Sequence, residues 1–150
     1  MAPGTAAVAD AAAGLRYVES SALLAGLLEQ DAAVRAALRA PGQRVTSALT
    51  FAEASRALLR ARAAARLTLA EERAALRWLQ TFRRCCDVFA VTRAVLARAG
   101  RPFPIEPIRT LDAVHLATAE LLGEPPQLVT IITRDARVSE NARALGYAVE

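Results

Sequence analysis

The chain has no lysine. Every one of its 19 Lys-or-Arg positions is arginine, and a single histidine, His115, completes the basic side chains. The missing lysine argues against a receiver-like phosphoryl-transfer domain, which needs a phosphate-handling lysine and a nucleophilic aspartate at the end of its first strand. With one histidine there is also no plausible nucleophile triad. Cysteine is scarce: Cys85 and Cys86 are adjacent, which rules out a spaced zinc pair and suggests a reducing, cytoplasmic setting. No apolar run approaches the roughly 20 residues of a membrane span, so no membrane anchoring is expected. Residues 1–14 are rich in alanine and glycine but lack a basic n-region and a strongly apolar h-region. They read as a flexible tail rather than a signal peptide, ahead of a single domain over 15–150.

What is present is apolar and modestly basic. Over 150 residues, 54% are hydrophobic and 23% charged, with a net charge of +4. A chain of this size buries about 70% of its unfolded surface in one core. Arginine forks suit phosphate and carboxylate recognition, and the positive charge makes a nucleic-acid substrate easier to accept. A GC-rich genome is the simpler cause of the all-arginine basic set, and it accounts for the many alanines as well.

Strand and helix signals alternate. Strands are expected at Leu15–Glu19, Arg44–Ser47, Asp87–Val91, Leu128–Ile132 and Tyr147–Val149. The first is followed by a helix over ALLAGLLEQ that Ser20 and Ser21 can cap. Further helices are expected over Asp31–Arg39, then from Thr46, Ser47 or Thr50 to about Ala65, with Ala48, Phe51, Ala54, Leu58 and Leu59 as its buried face. Thr68-Leu69-Ala70-Glu71 is a capping box opening the next helix, in which Trp78 and Phe82 read as core or dimer contacts. A short helix follows from Thr92 to about Ala99. Thr110 is expected to cap a helix over Leu111–Leu122 that buries Val114, Ala117, Thr118, Leu121 and Leu122. A last helix spans Ala136–Leu145, with Gly146 as its C′ residue. This alternation predicts a three-layer α/β/α sandwich with a mostly parallel central sheet. In such sheets the working site lies beyond the carboxyl ends of the strands.

Four acids draw attention in a chain that is otherwise basic. Glu19 ends the first strand, Glu53 lies within a helix, Asp112 sits in a first helical turn and Asp135 follows the apolar run LVTIIT. Each alone has a simpler reading: a solvated strand end, a partner for Arg56 or Arg60 at helical spacing, a helix-dipole acid, and an N-cap. Gathered in one cleft they would repel one another unless a hard cation such as Mg²⁺ or Mn²⁺ lay among them. Such a site can activate water for attack on phosphorus with acids alone. Asp87 and Glu106 are not expected to join it, and His115 reads as a hydrogen-bonded packing residue.

The segments VESSALL (18–24), TSALTFAEASRALLR (46–60), IRTLDAVHLATAELL (108–122) and TIITRDARVSENARALGYAV (130–149) resemble the four blocks of a PIN domain, in the family's order. They most resemble the VapC-type toxins of bacterial toxin–antitoxin pairs. The resemblance covers nearly all of the chain after residue 14. It implies a metal-dependent ribonuclease on an α/β/α sandwich, with Mg²⁺ or Mn²⁺ held by Glu19, Glu53, Asp112 and Asp135 and supported by Ser21 and Thr133. It further implies an RNA substrate, a homodimer, and an antitoxin that blocks the acidic cleft with a basic side chain. Candidate surfaces for that partner are the alanine and leucine faces of Asp31–Arg39 and Ala48–Ala65. Arg56, Arg60 and Arg109 are candidates for touching RNA phosphates. The chain departs from the family at Glu19, where aspartate is usual. One extra methylene leaves three outcomes open: a preference for Mn²⁺, weaker metal binding, or impaired chemistry. The alternative reading is therefore a catalytically impaired module that binds RNA or a protein partner.

Overall fold

The computed structural model describes residues 14–150. The tail expected over 1–14 lies outside the described residues apart from Gly14. Among the described residues there are five strands: β1 (Leu15–Val18), β2 (Gln43–Ser47), β3 (Asp87–Phe89), β4 (Val129–Ile132) and β5 (Ala148–Val149). They form one sheet in the order β3-β2-β1-β4-β5. Every pairing is parallel, so the sheet is more uniform than the mostly parallel arrangement expected. The helices are α1 (Ser20–Leu28), α2 (Ala32–Arg39), α3 (Ala48–Ala63), α4 (Leu69–Arg84), α5 (Arg93–Ala99), α6 (Thr110–Glu120) and α7 (Ala136–Ala144).

The period-2 alternation of the strands sends successive side chains to opposite faces. Tyr17, Val45 and Ile131 enter one core, built with Val95 of α5, Val114 and Ala117 of α6 and Val138 of α7. Val18 and Ile132 enter the other, built with Leu23 of α1, Val34 of α2, Phe51 and Leu58 of α3 and Phe82 of α4. Helices α1–α4 thus cover one face and α5–α7 the other, giving the predicted three layers. Among the described residues no helix is long and apolar enough to cross a membrane.

Several local expectations hold. Thr68 and Glu71 form the reciprocal capping box, and Gly146, at φ 95°, leaves α7 in the left-handed conformation that glycine adopts without strain. Others are corrected. The α1 cap is Glu19, whose side chain accepts from the Ser21 N–H, so Ser20 and Ser21 are already helical. Of the candidates for α3, Ser47 is the cap. Thr110 is the first residue of α6 rather than its cap, and the capping position, Arg109, makes no side-chain cap bond because a guanidinium has no acceptor to offer a helix N–H. The buried face of α3 uses Thr50 and Ala61, while Ala48 and Leu59 are exposed. Helix α6 is buried over eight consecutive residues, Asp112–Ala119, whereas Leu121 lies outside. It is enclosed by the sheet, α5 and α7 together, which a single-stripe reading could not anticipate. Trp78 stacks on the buried Phe82 and remains partly exposed.

Candidate active site

The chain winds outward from β1 through β2 to β3, then returns to place β4 and β5 on the other side of β1. The switch point therefore lies between β1 and β4, where an open parallel sheet leaves a crevice at its carboxyl edge. Glu19 follows β1 directly, and its backbone N–H extends the ladder to the Ile132 carbonyl at 3.0 Å. Thr133 and Asp135 follow β4. Helix α3 rises from the end of β2 and carries Glu53, and α6 brings Asp112 in its first turn.

Glu19 is almost fully buried at 3% exposure. Its Oε1 accepts from Ser20 Oγ at 2.6 Å. Its Oε2 accepts from the Ser21 N–H at 3.1 Å, from Thr133 Oγ1 at 2.9 Å and, over a short contact, from Ser21 Oγ. The two hydroxyls also accept in turn. Asp135 N–H donates to Ser21 Oγ and to Thr133 Oγ1, each at 3.1 Å, and Arg134 N–H donates to Ser21 Oγ at 2.8 Å. Ser21 and Thr133 therefore fasten the β1 exit to the β4 exit, with both hydroxyl protons turned onto one carboxylate oxygen.

Glu53 reaches across from α3. Rather than pairing with Arg56 or Arg60, it meets His115, whose Nε2 lies 2.6 Å from Glu53 Oε2 and 3.7 Å from Glu19 Oε1. The other ring nitrogen, Nδ1, is 3.0 Å from the Tyr17 hydroxyl. Donor atoms of Glu19, Glu53 and His115 all lie within 4.8 Å of one another. Burial first, then the charges of Glu19 and Glu53, push the Tyr17 phenol well above its ordinary value, which keeps its proton in place.

Asp112 and Asp135 are drawn together by Arg109. Its Nε donates to Asp112 Oδ2 at 2.7 Å and its NH2 to Asp112 Oδ1 at 3.3 Å, while NH2 also reaches Asp135 Oδ2 at 2.5 Å. The bonds to Asp112, followed by the nearby charge of Asp135, raise the guanidinium above its ordinary value. Asp135 also caps α7, accepting from the N–H groups of Arg137 and Val138.

All four predicted acids thus lie along the carboxyl edge on elements flanking the switch point, and the hydrogen bonding sorts them into two pairs. Glu19 and Glu53 meet at His115, and Asp112 and Asp135 meet at Arg109. Glu19 caps α1, Asp135 caps α7 and Asp112 lies in the first turn of α6, so three of the four sit where helix dipoles favour negative charge. Asp87 and Glu106 serve elsewhere: Asp87 bonds Gln43, and Glu106 accepts from the Phe103 and Ile108 N–H groups. Sequence reasoning missed the contact that gives His115 a place at the site. Its spacing of three from Asp112 put both on one side of α6, but nothing in that spacing pointed to Glu53, 62 residues away.

A five-stranded parallel sheet carrying acids on both sides of its switch point, and held by hydroxyls from the first and fourth strand exits, is the arrangement of a PIN domain. The chain belongs to that family: the PIN domain profile matches residues 16–144. Its relatives place it in the VapC branch. It is 42% identical over 139 residues to Ribonuclease VapC46 of Mycobacterium tuberculosis (strain ATCC 25618 / H37Rv), covering 89% of this chain and 94% of that one. It is 38% identical over 105 residues to Ribonuclease VapC35 of the same species, covering 70% of each. Among solved structures it resembles M. tuberculosis VapC20, described as a Sarcin-Ricin loop cleaving toxin, with a TM-score of 0.63 and 20% identity over 89% of this chain and 96% of that one. It also resembles Rickettsia felis VapBC2 bound to a DNA fragment from its promoter, with a TM-score of 0.62 and 10% identity over 91% and 97%. At these identities the structural likeness carries the fold alone.

Proposed function

We propose that the protein is a divalent-metal-dependent endoribonuclease and the toxin half of a toxin–antitoxin pair. The observation that supports this reading is the placement of Glu19 with Glu53 and of Asp112 with Asp135, as two pairs, along the carboxyl edge of a VapC-type PIN domain. The donor set fits a hard or borderline cation: carboxylate oxygens predominate, and one oxygen each of Glu19 and Glu53 lie within 4.8 Å of each other and of a His115 ring nitrogen. Glu19, Glu53, Asp112 and Asp135 would hold Mg²⁺ or Mn²⁺. When bound, such an ion supplies charge neutralisation at the scissile phosphate and a more acidic water.

The rest is done by the chain itself. Ser20, Ser21 and Thr133 orient Glu19 with hydroxyl and N–H donors, so its carboxylate is fixed in place. Exposed Arg56 and Arg60 on α3, with Arg109 at the mouth, provide guanidinium groups that can follow an RNA backbone. For the antitoxin, a groove of about 880 Å³ between α1–α2 and α4 offers an apolar floor including Leu27, Leu38, Trp78 and Phe82. Arg35, Arg39, Arg44 and Arg66 line the same groove, which suits an amphipathic segment with acidic flanks. This surface combines α2, one of the two faces expected to meet the antitoxin, with α4. The protein works in the cytoplasm as a homodimer on this reading.

Cleavage of a mixed RNA pool with Mg²⁺ or Mn²⁺ tests the proposal, comparing wild type, Asp112→Asn and Glu19→Asp. Metal-dependent cleavage that disappears in Asp112→Asn supports it, and faster cleavage by Glu19→Asp shows that the longer side chain detunes the site. The engagement of Asp112 and Asp135 by Arg109 favours one second reading, an impaired module that binds RNA or a partner without cutting. No cleavage by any of the three folded, antitoxin-free proteins selects it.

A further inference from the structure

His115 is 1% exposed, and a buried imidazole needs partners for both ring nitrogens. It has them: Tyr17 on one side and Glu53 on the other. In the tautomer that carries its proton on Nε2, the ring donates to Glu53 Oε2 and accepts from the Tyr17 hydroxyl at Nδ1, which satisfies all three groups. Tyr17 also stands edge-on to the ring, with centroids 6.2 Å apart and planes at 74°, so the two rings pack against each other.

The ring thus has one position and one hydrogen-bond direction. Glu53, by contrast, has a long side chain on the far wall of the cleft, partly open to solvent at 21%. A free glutamate there would sample several rotamers, and only some would face Glu19. From these contacts we infer that His115 is a positioning residue, which sets the Glu53 carboxylate for cation binding and is itself held by Tyr17. The inference rests on the reading of Glu53 as a metal-holding acid. The Nε2–H takes one lone pair of Glu53 and leaves the others, and its partial positive charge lies between two carboxylates that would otherwise repel. With its proton on Nε2, His115 does not ligate the ion. Loss of such an orienting partner typically lowers metal affinity or activity by about 10- to 100-fold.

The test is Mn²⁺ binding to the full chain, read from the electron paramagnetic resonance signal of free Mn²⁺. The variants are His115→Gln, His115→Asn, His115→Leu, Tyr17→Phe and Glu53→Gln, each checked by thermal melting without metal. A glutamine amide can reach the Nε2 position and still donate to Glu53. An asparagine amide reaches only the Nδ1 position, so it keeps Tyr17 and loses Glu53. The expected order is wild type close to His115→Gln, then Tyr17→Phe, with His115→Asn and His115→Leu weaker by about 10- to 100-fold. In RNA cleavage His115→Asn and His115→Leu lose kcat with KM little changed, while His115→Gln stays close to wild type. If leucine does not fold, the glutamine–asparagine comparison decides. Wild-type affinity in His115→Asn alongside a loss in Glu53→Gln overturns the positioning role. Wild-type affinity in Glu53→Gln overturns the metal reading beneath it. His115 is the only histidine, so nitrogen coupling from ¹⁵N-histidine in the bound Mn²⁺ spectrum would make it a ligand and overturn the inference as well.

Discussion

Replacing Arg109 with glutamine is the perturbation that most directly weighs the charges of the site. Its guanidinium lies across Asp112 and Asp135, and a cation held by the same oxygens must displace it. At about 4 Å and an effective dielectric near 20, each pair attracts by roughly 4 kcal/mol before solvation is counted. The arginine side chain is 59% exposed and its partners 10% and 20%, so water competes at its end of both bonds. Exposed pairs retain up to about 1 kcal/mol each, which makes about 1–2 kcal/mol for the two. Removing that competition should tighten Mn²⁺ binding by roughly 5- to 30-fold in Arg109→Gln, measured by isothermal titration calorimetry. In chelator-treated protein the same variant should melt lower, since two facing carboxylates lose their counter-ion, and saturating Mn²⁺ should close the gap. Unchanged or weaker Mn²⁺ binding in Arg109→Gln would refute the argument, because it would place the guanidinium outside the oxygens that the ion uses.

Leu58 of α3 is fully buried, so Leu58→Ala should cost about 2–5 kcal/mol in chemical denaturation, whatever the metal content. Asp31 caps α2 and bonds Arg134, and that bond, followed by the Val34 N–H, holds its carboxyl at about 2. Its folded value lies below its unfolded one, so its contribution is present above about pH 4 and is lost as pH falls toward 2. Asp31→Asn should therefore show a shallower fall of melting temperature across that window. Burial pushes the Cys86 thiol up to about 12 while Cys85 is exposed. Iodoacetamide at about pH 8 should thus label Cys85 and spare Cys86, as read by peptide mass spectrometry.

The sequence by itself determined the layers. Apolar runs alternating with helical periods can bury their faces only as a sheet covered on both sides, and capping residues such as Thr68 and Glu71 act within one turn. It also marked Glu19 and Asp135 as strand-exit acids, because the exits of β1 and β4 are local features, and the four blocks around the acids resembled one family. Tertiary structure decided what those acids touch. The meeting of Glu53 with His115, and of Tyr17 with His115 behind it, joins α3, α6 and β1 across separations of 62 and 98 residues. No periodicity encodes such a meeting; it follows from how α3 and α6 dock at the same edge of the sheet. The burial of α6 on every side has the same origin, since three separate elements enclose it. Arg109 was legible as a basic residue beside an acid, but its second bond, to Asp135, exists only because β4 lies next to β1 and delivers α7 beside α6.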